Sequence, residues 1–146
     1  MIKSIRAGVL AAAVAAMSVP AAAHHSFAMY DMSQTKTMTG KLTRFIPGAN
    51  HAQLIFEVLD DTGKPVMEKG KPLVWGIETG SAAALSRNGI TVETMPIGTI
   101  ITVSLHPLRD GRPMGATAGT LIKCGNAVPK GGCTKDTGQV LTSPAN

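Results

Sequence analysis

Four histidines carry most of the chemistry open to this chain: His24, His25, His51 and His106. The first two stand in Ala21-Ala22-Ala23-His24-His25-Ser26-Phe27, where Ala21 and Ala23 have the A-x-A spacing of an export cleavage site. A cut after Ala23 would make His24 the first residue and set a free α-amine beside two imidazoles. Nitrogen donors of this kind in a tetragonal arrangement suit copper(II) better than zinc. The expected metal set is His24, through its amine and ring, with His25 or His51, and with His106 bordering the same face. The bland alternative is strong. Paired histidines near a chain terminus are commonly just solvated, and single histidines often sit at the exposed end of a strand. A cut one residue away would also remove the amine chelate.

Two further groups could bind a ligand. Arg109 and Asp110, with Arg112, form a loop of alternating charge that could hold a carboxylate or phosphate; Asp110-Gly111 is equally good turn chemistry, which favours a plain turn. Trp75 and Glu78 could line a pocket, although a lone tryptophan is more often core. Cys124 and Cys133 are the only cysteines. In an oxidising compartment they are expected to form a disulfide, because zinc thiolate pairs favour closer spacing and need further ligands. No G-x-S-x-G is present, and Ser26 beside histidines in sequence makes no triad. The residues thus favour a non-catalytic protein, with no cofactor demanded and copper as the candidate metal; a copper redox enzyme is a distant alternative.

Residues 1–23 read as a secretory signal: Lys3 and Arg6, an apolar run from Ala7 to Val19, then Pro20 and the cleavage site. The run is short of the roughly 20 residues that a membrane-spanning helix needs. An exported, periplasmic protein is expected, with no membrane span after cleavage. Removing the signal lowers the formal charge from +5 to +3, since Lys3 and Arg6 leave with it. The remaining basic residues are scattered and aromatics are few, which argues against nucleic acid as a partner. An unidentified periplasmic ligand or protein is the expected partner.

The elements that must position these residues follow from periodicity. Residues 24–36 read as an extended leader, able to reach roughly 40 Å at ~3.3 Å per residue. Residues 37–123 carry five strands and a helix. The strands fall at 37–46, 51–59, 73–77, 99–105 and 114–123; the second is clearest, with Ala52, Leu54, Phe56 and Val58 alternating against polar neighbours. Gly40 inside the first predicts a bulge or a sharp coil of the kind that curves a barrel strand. Ser81 predicts an N-cap for a short helix through Asn88, with Gly89 at its left-handed stop. Residues 124–146 read as a disulfide loop and a flexible tail. Three strands, a helix and two strands is the order of an OB-fold, a five-stranded Greek-key barrel whose ligand face lies over strands 2 and 3 between the 1–2 and 4–5 loops. A small β-sandwich would need more strands.

Several motifs resemble a family of small exported bacterial proteins of unknown function. They are Ala23-His24-His25-Ser26-Phe27, the W-x-x-E-x-G-S-x-x-x-L-x-R-x-G pattern of Trp75, Glu78, Gly80, Ser81, Leu85, Arg87 and Gly89, and Pro107-Leu108-Arg109-Asp110-Gly111. The resemblance runs from about Ala23 to Leu121. It implies an OB-like fold and export, and supplies no activity. The family's N-P-H at the second strand is Ala49-Asn50-His51 here, and the cysteine loop looks like an extension. The function expected from all of this is an exported binding module holding a ligand or partner over the barrel face. Copper bound by His24 with His25 and His51 is the sharper version.

Overall fold

A computed structural model describes residues 27–142. Its strands are β1 (Lys36–Ile46), β2 (Gln53–Val58), β3 (Met67–Glu68), β4 (Lys71–Pro72), β5 (Val74–Glu78), β6 (Ile100–Pro107), β7 (Met114–Cys124) and β8 (Gln139–Thr142), with one helix, α1 (Ala82–Arg87). The main sheet runs β5-β2-β1-β6-β7-β8, and an additional parallel pairing of β5 with β7 closes it. The closed ring of β1, β2, β5, β7 and β6 is the expected OB-fold-like barrel.

Alternation fills its interior. Leu54 and Phe56 of β2, Ile77 of β5 and Ile101, Val103 and Leu105 of β6 are all essentially inaccessible. A period of two turns every second side chain inward, so the run legible at 52–58 becomes one wall of the core. The helix plugs one end with Leu85, which joins Ile90 and Met95 in the same cluster. Ser81 caps α1, its Oγ accepting from Ala84 N at 3.2 Å, and Gly89 takes the positive φ of 74° that stops it.

The bulge of the first strand does not fall at Gly40. The β1–β2 register slips between Leu42 and Arg44, so the bulge falls at Thr43. Gly40 instead lies under the Phe56 ring, where a Cβ would also stand 2.7 Å from the Glu57 carbonyl oxygen. The glycine lets the neighbouring strand and its largest core side chain come close.

Three parts of the fold differ from the sequence reading. The leader is not simply extended: Phe27–Met29 form a 3-10 turn and Tyr30, which bridges to Leu108, is buried. Residues 67–72 form a β-hairpin whose turn places Lys69 and Gly70 at positive φ, 49° and 77°, as a type I′ turn requires. The segment read as a flexible tail supplies β8, which pairs with β7 and buries Leu141 in the main core.

Cys124 and Cys133 are joined as expected. Their loop packs Val128 against Leu59 and Ile100 in a second small core. A ladder of hydroxyls ties it to the barrel: Thr102 Oγ1 donates to Cys133 O at 2.7 Å, and Thr39 Oγ1 lies 2.7 Å from Thr102 Oγ1. Thr102 has one proton, so Thr39 is the donor to it.

Two stability effects are expected in urea unfolding of the oxidised protein. Gly40→Ala should destabilise by about 1–3 kcal/mol through overpacking. The Cys124→Ser/Cys133→Ser pair should cost about 2.5–3 kcal/mol by freeing the loop in the unfolded state.

Candidate functional site

The outer face of the barrel carries a row of register partners. Gln53 of β2 pairs with Glu78 of β5, Glu78 with Ala116 of β7, and Ala116 with His106 of β6. Their chain neighbours Leu54, Ile77 and Leu105 point inward, so the row points outward. The leader lies across it. Tyr30 packs on Ala116 and Leu108, flanked by Met114. Main-chain bonds hold it there, from Asp31 N to Pro107 O at 2.8 Å and from Arg109 N to Met29 O at 2.9 Å. Arg109 adds a side-chain bond, Nε donating to Ala28 O at 3.1 Å.

Tyr30 is seated over Ala116, the register partner of Glu78. Burial, and after it the negative charge of Glu78, push the phenol above its ordinary pKa. On the other side of Glu78 stands His51. Its ring Nδ1 is 3.3 Å from Thr79 O and 3.7 Å from Glu78 Oε1. The first is a long hydrogen bond and the second an electrostatic contact. A carbonyl can only accept, so Nδ1 carries the proton, and in the neutral ring Nε2 is the basic nitrogen.

His51 is held in place by the backbone around it. Thr79 N donates to Ala52 O at 2.9 Å and Ala52 N to Gly80 O at 3.0 Å. The buried Thr79 hydroxyl adds a bond to Ala52 O at 3.1 Å. This clamp fixes the entry to β2 against the exit of β5, which brings His51 beside Glu78. Glu78 and His51 therefore form a polar pair joining the end of β5 to the entry of β2, with Tyr30 of the leader seated on the neighbouring Ala116.

A match to a family model spans residues 11–118. The chain belongs to a family of unknown function (DUF6152). No curated protein and no solved structure matches it significantly. The span matched by the DUF6152 model includes Tyr30, His51, Glu78, His106 and Arg109, whereas the disulfide and β8 lie beyond it.

The candidate residues fall into separate places. His24 and His25 lie outside the described residues. His106 belongs to β6 rather than opening the following loop, and its Nδ1 donates to Gln34 O at 2.7 Å. It is two strands from Glu78 along the row, about 10 Å at the usual strand spacing, with Tyr30 packed between. Among the described residues no three His, Cys, Asp or Glu side chains form a group that could hold a metal. Arg109 clasps the leader, whereas Asp110 turns to Arg112, whose Nε donates to its carboxylate at 2.8 Å across an exposed turn. Hydrogen bonds from the Arg112 backbone and side chain hold the Asp110 carboxyl below its usual range. Trp75 faces the barrel interior, with Lys36 Nζ 5.0 Å from the ring centroid. Trp75 and Glu78 are three residues apart on a strand, so they face opposite sides and do not line one pocket.

Clefts of about 240 and 370 Å³ flank Val128 of the disulfide loop, lined by none of the histidines. Asp60 borders the first, but its Oδ1 already accepts from Thr62 N at 2.8 Å, Thr62 Oγ1 at 2.7 Å and Lys64 N at 3.0 Å. These clefts lack the convergent polar groups of a ligand pocket. Tyr30, seated on Ala116 next to Glu78, is a residue of this face that the sequence reading did not single out. An aromatic side chain with a polar tip inside an otherwise aperiodic leader is the signal that could have found it.

Tyr30 is the only tyrosine, so its near-ultraviolet absorbance reports its ionisation directly. It should titrate above the ordinary phenol range, and Glu78→Gln should lower its pKa. The folded state binds this proton more tightly than the unfolded chain does. The stabilisation is therefore complete below the unfolded value of 10.0 and is lost as pH rises through the folded one. Urea midpoints measured across that range should fall with pH, and less steeply in Tyr30→Phe.

Proposed function

We propose that the protein is a non-catalytic binding module acting outside the cytoplasm. Its binding site is the end of the barrel around His51 and Glu78, and copper(II) is its ligand, with His24 and His25 completing the donor set. The observation that carries this reading is the docking of the leader. Tyr30 ties the chain beside Glu78, the neighbour of His51, and His24 stands only six residues upstream. Six residues reach at most about 20 Å, so the histidine pair is tethered to His51 at high effective concentration.

The donor chemistry supports copper. The ring Nε2 of His51, the His24 ring and its α-amine would be nitrogen ligands, which in a tetragonal arrangement suit copper(II). A His51 ring whose Nδ1–H is fixed by a carbonyl and a carboxylate is oriented as ligating histidines generally are. The clefts near Val128 lie away from these groups, which favours capture of an ion over turnover of an organic substrate. Export is supported by residues 1–23, which read as a signal, and by the disulfide. Among the described residues no helix is long and apolar enough to cross a membrane.

N-terminal sequencing of the exported protein should read His24 first. Calorimetric titration of that protein with copper(II) should give one site per chain, weakened at least tenfold in His51→Ala and further in His24→Ala/His51→Ala. Unchanged affinity in the double variant would sink the histidine site. Should copper fail to bind, capture of a periplasmic ligand or protein on the barrel face becomes the reading to pursue.

A further inference from the structure

The chain folds back on its own disulfide. Cys133 is bonded to Cys124 at the end of β7, and five residues later the backbone of Gly138 lies against the Cys124 sulfur. A Cβ at 138 would stand 2.5 Å from Cys124 Sγ, 2.7 Å from Ile122 Cγ2 and 2.8 Å from Lys123 O, so only glycine fits there. β8 begins at the next residue. We propose that β8 is a cover strand for the disulfide: a thiol reaches the bond when β8 peels from β7, so docking of the strand sets the rate of reduction. Reduction in turn removes the tether that returns the strand. Bond and strand together make a redox-sensitive latch, separate from the histidines.

Both cysteines are almost fully covered, Cys124 at 4 % exposure and Cys133 at 3 %. Leu59, Ile100 and Ile122 pack around them from the barrel side, with Val128 from the disulfide loop. The barrel side is uncovered only when the barrel opens. Gly138 is held far more lightly. Thr134 to Thr137, which carry the chain from Cys133 to it, are all exposed. Their hydrogen bonds are local: Thr134 N donates to Thr137 Oγ1 at 2.9 Å, Thr137 Oγ1 to Gly132 O at 2.6 Å and Gly138 N to Thr134 O at 2.9 Å. This turn has no burial of its own to keep Gly138 down, and it depends on β8 for that. β8 is four residues long, stands last in the sheet order and has β7 as its neighbour. Its hold is Leu141, buried in the main core, while Val140 is half exposed. A short terminal edge strand opens at much lower free energy than the core, so turn and strand lift together while the barrel stays folded.

The chemistry is thiol–disulfide exchange, which depends on access to a sulfur. With dithiothreitol as reductant, one of its thiolates attacks a cysteine sulfur and the S–S bond breaks. The other cysteine leaves as a thiolate and takes up a proton. The second reductant thiol then displaces the first cysteine, which is protonated in the same way. The protein gains two electrons and two protons, and the reductant becomes a cyclic disulfide. Once both cysteines are thiols, Cys133 is no longer tied to the end of β7. The edge of β7 from Thr120 to Lys123, which β8 pairs in the oxidised protein, is then left open as a template for another strand.

The test uses the oxidised mature chain and dithiothreitol, with freed thiols alkylated and counted by mass. Hydrogen exchange of the protected amides in 139–142 and in β6 is measured under the same conditions. In the wild type, the factor by which folding slows reduction, relative to the urea-unfolded chain, should match the protection of 139–142. Reduction that follows the protection of β6 instead would place the reaction in the unfolded protein and overturn the proposal. Two variants then loosen the strand from different sides. Leu141→Ala removes its anchor, and Gly138→Ala sets a methyl against Cys124 Sγ without touching the core. Each should speed both reduction and 139–142 exchange by about tenfold or more, with β6 exchange little changed. Faster exchange with reduction at the wild-type rate would show that β8 is no cover. So would a faster reduction in Val128→Ala alone, which would make the disulfide loop the cover. In the reduced wild type, 139–142 should exchange about tenfold or more faster than in the oxidised protein. An unchanged rate would refute the return half of the latch.

Discussion

The short parallel seam between β5 and β7 is the contact on which the rest of this structure depends. It joins Gly76 to Met114, Ile77 to Gly115 and Glu78 to Ala116, with Gly76 N donating to Pro113 O at 3.0 Å. Without it the strands would form an open sheet with an exposed β5 edge, a state that proteins ordinarily avoid. Beside the seam, glycine lets β6 and β7 close up. A side chain at 115 would stand 2.5 Å from His106 O, so only glycine lets β6 and β7 approach there. The seam also creates the site, because it places Glu78 beside the small residue on which Tyr30 sits.

The barrel and the site thus share one construction. Inward residues on β2, β5 and β6 fill the core, and their outward neighbours make the row of Gln53, Glu78, Ala116 and His106. The leader is laid across that row over Ala116, and it uses the loop after β6 as its dock. Arg109 Nε holds the leader, and Asp110 its own turn. The charged loop, whose sequence favours a turn over an anion site, also fastens a neighbouring segment.

Much of the barrel was legible in the sequence because its causes are local. Alternation at 52–58, a serine before an alanine-rich run and a glycine after it each act over a few residues. The order of strands and helix then leaves few closed topologies. The parts that stayed hidden depend on distant partners. Tyr30 is buried only because Leu108 and Ala116 arrive from more than 70 positions away. The short 139–142 segment is a strand only because β7 extends past the point where β5 leaves it. The hairpin at 67–72 has strands too short for any period to show. For the candidate site, His51 and Glu78 could be named, but their adjacency needed the Thr79–Ala52 clamp. The pairing of Trp75 with Glu78 could have been rejected from spacing alone.

The disulfide bears on how the chain matures. With two cysteines in the whole sequence there is one intramolecular pairing, so oxidation cannot yield a scrambled isomer. The partners are nine positions apart and both follow the last barrel strand's seam, so the five barrel strands can associate before either thiol reacts. Thr102 Oγ1 meets Cys133 O where the loop lies against the barrel. Maturation of this protein calls for an electron acceptor but no disulfide shuffling, and a reducing host should still give the barrel, with β8 the part left loosely attached.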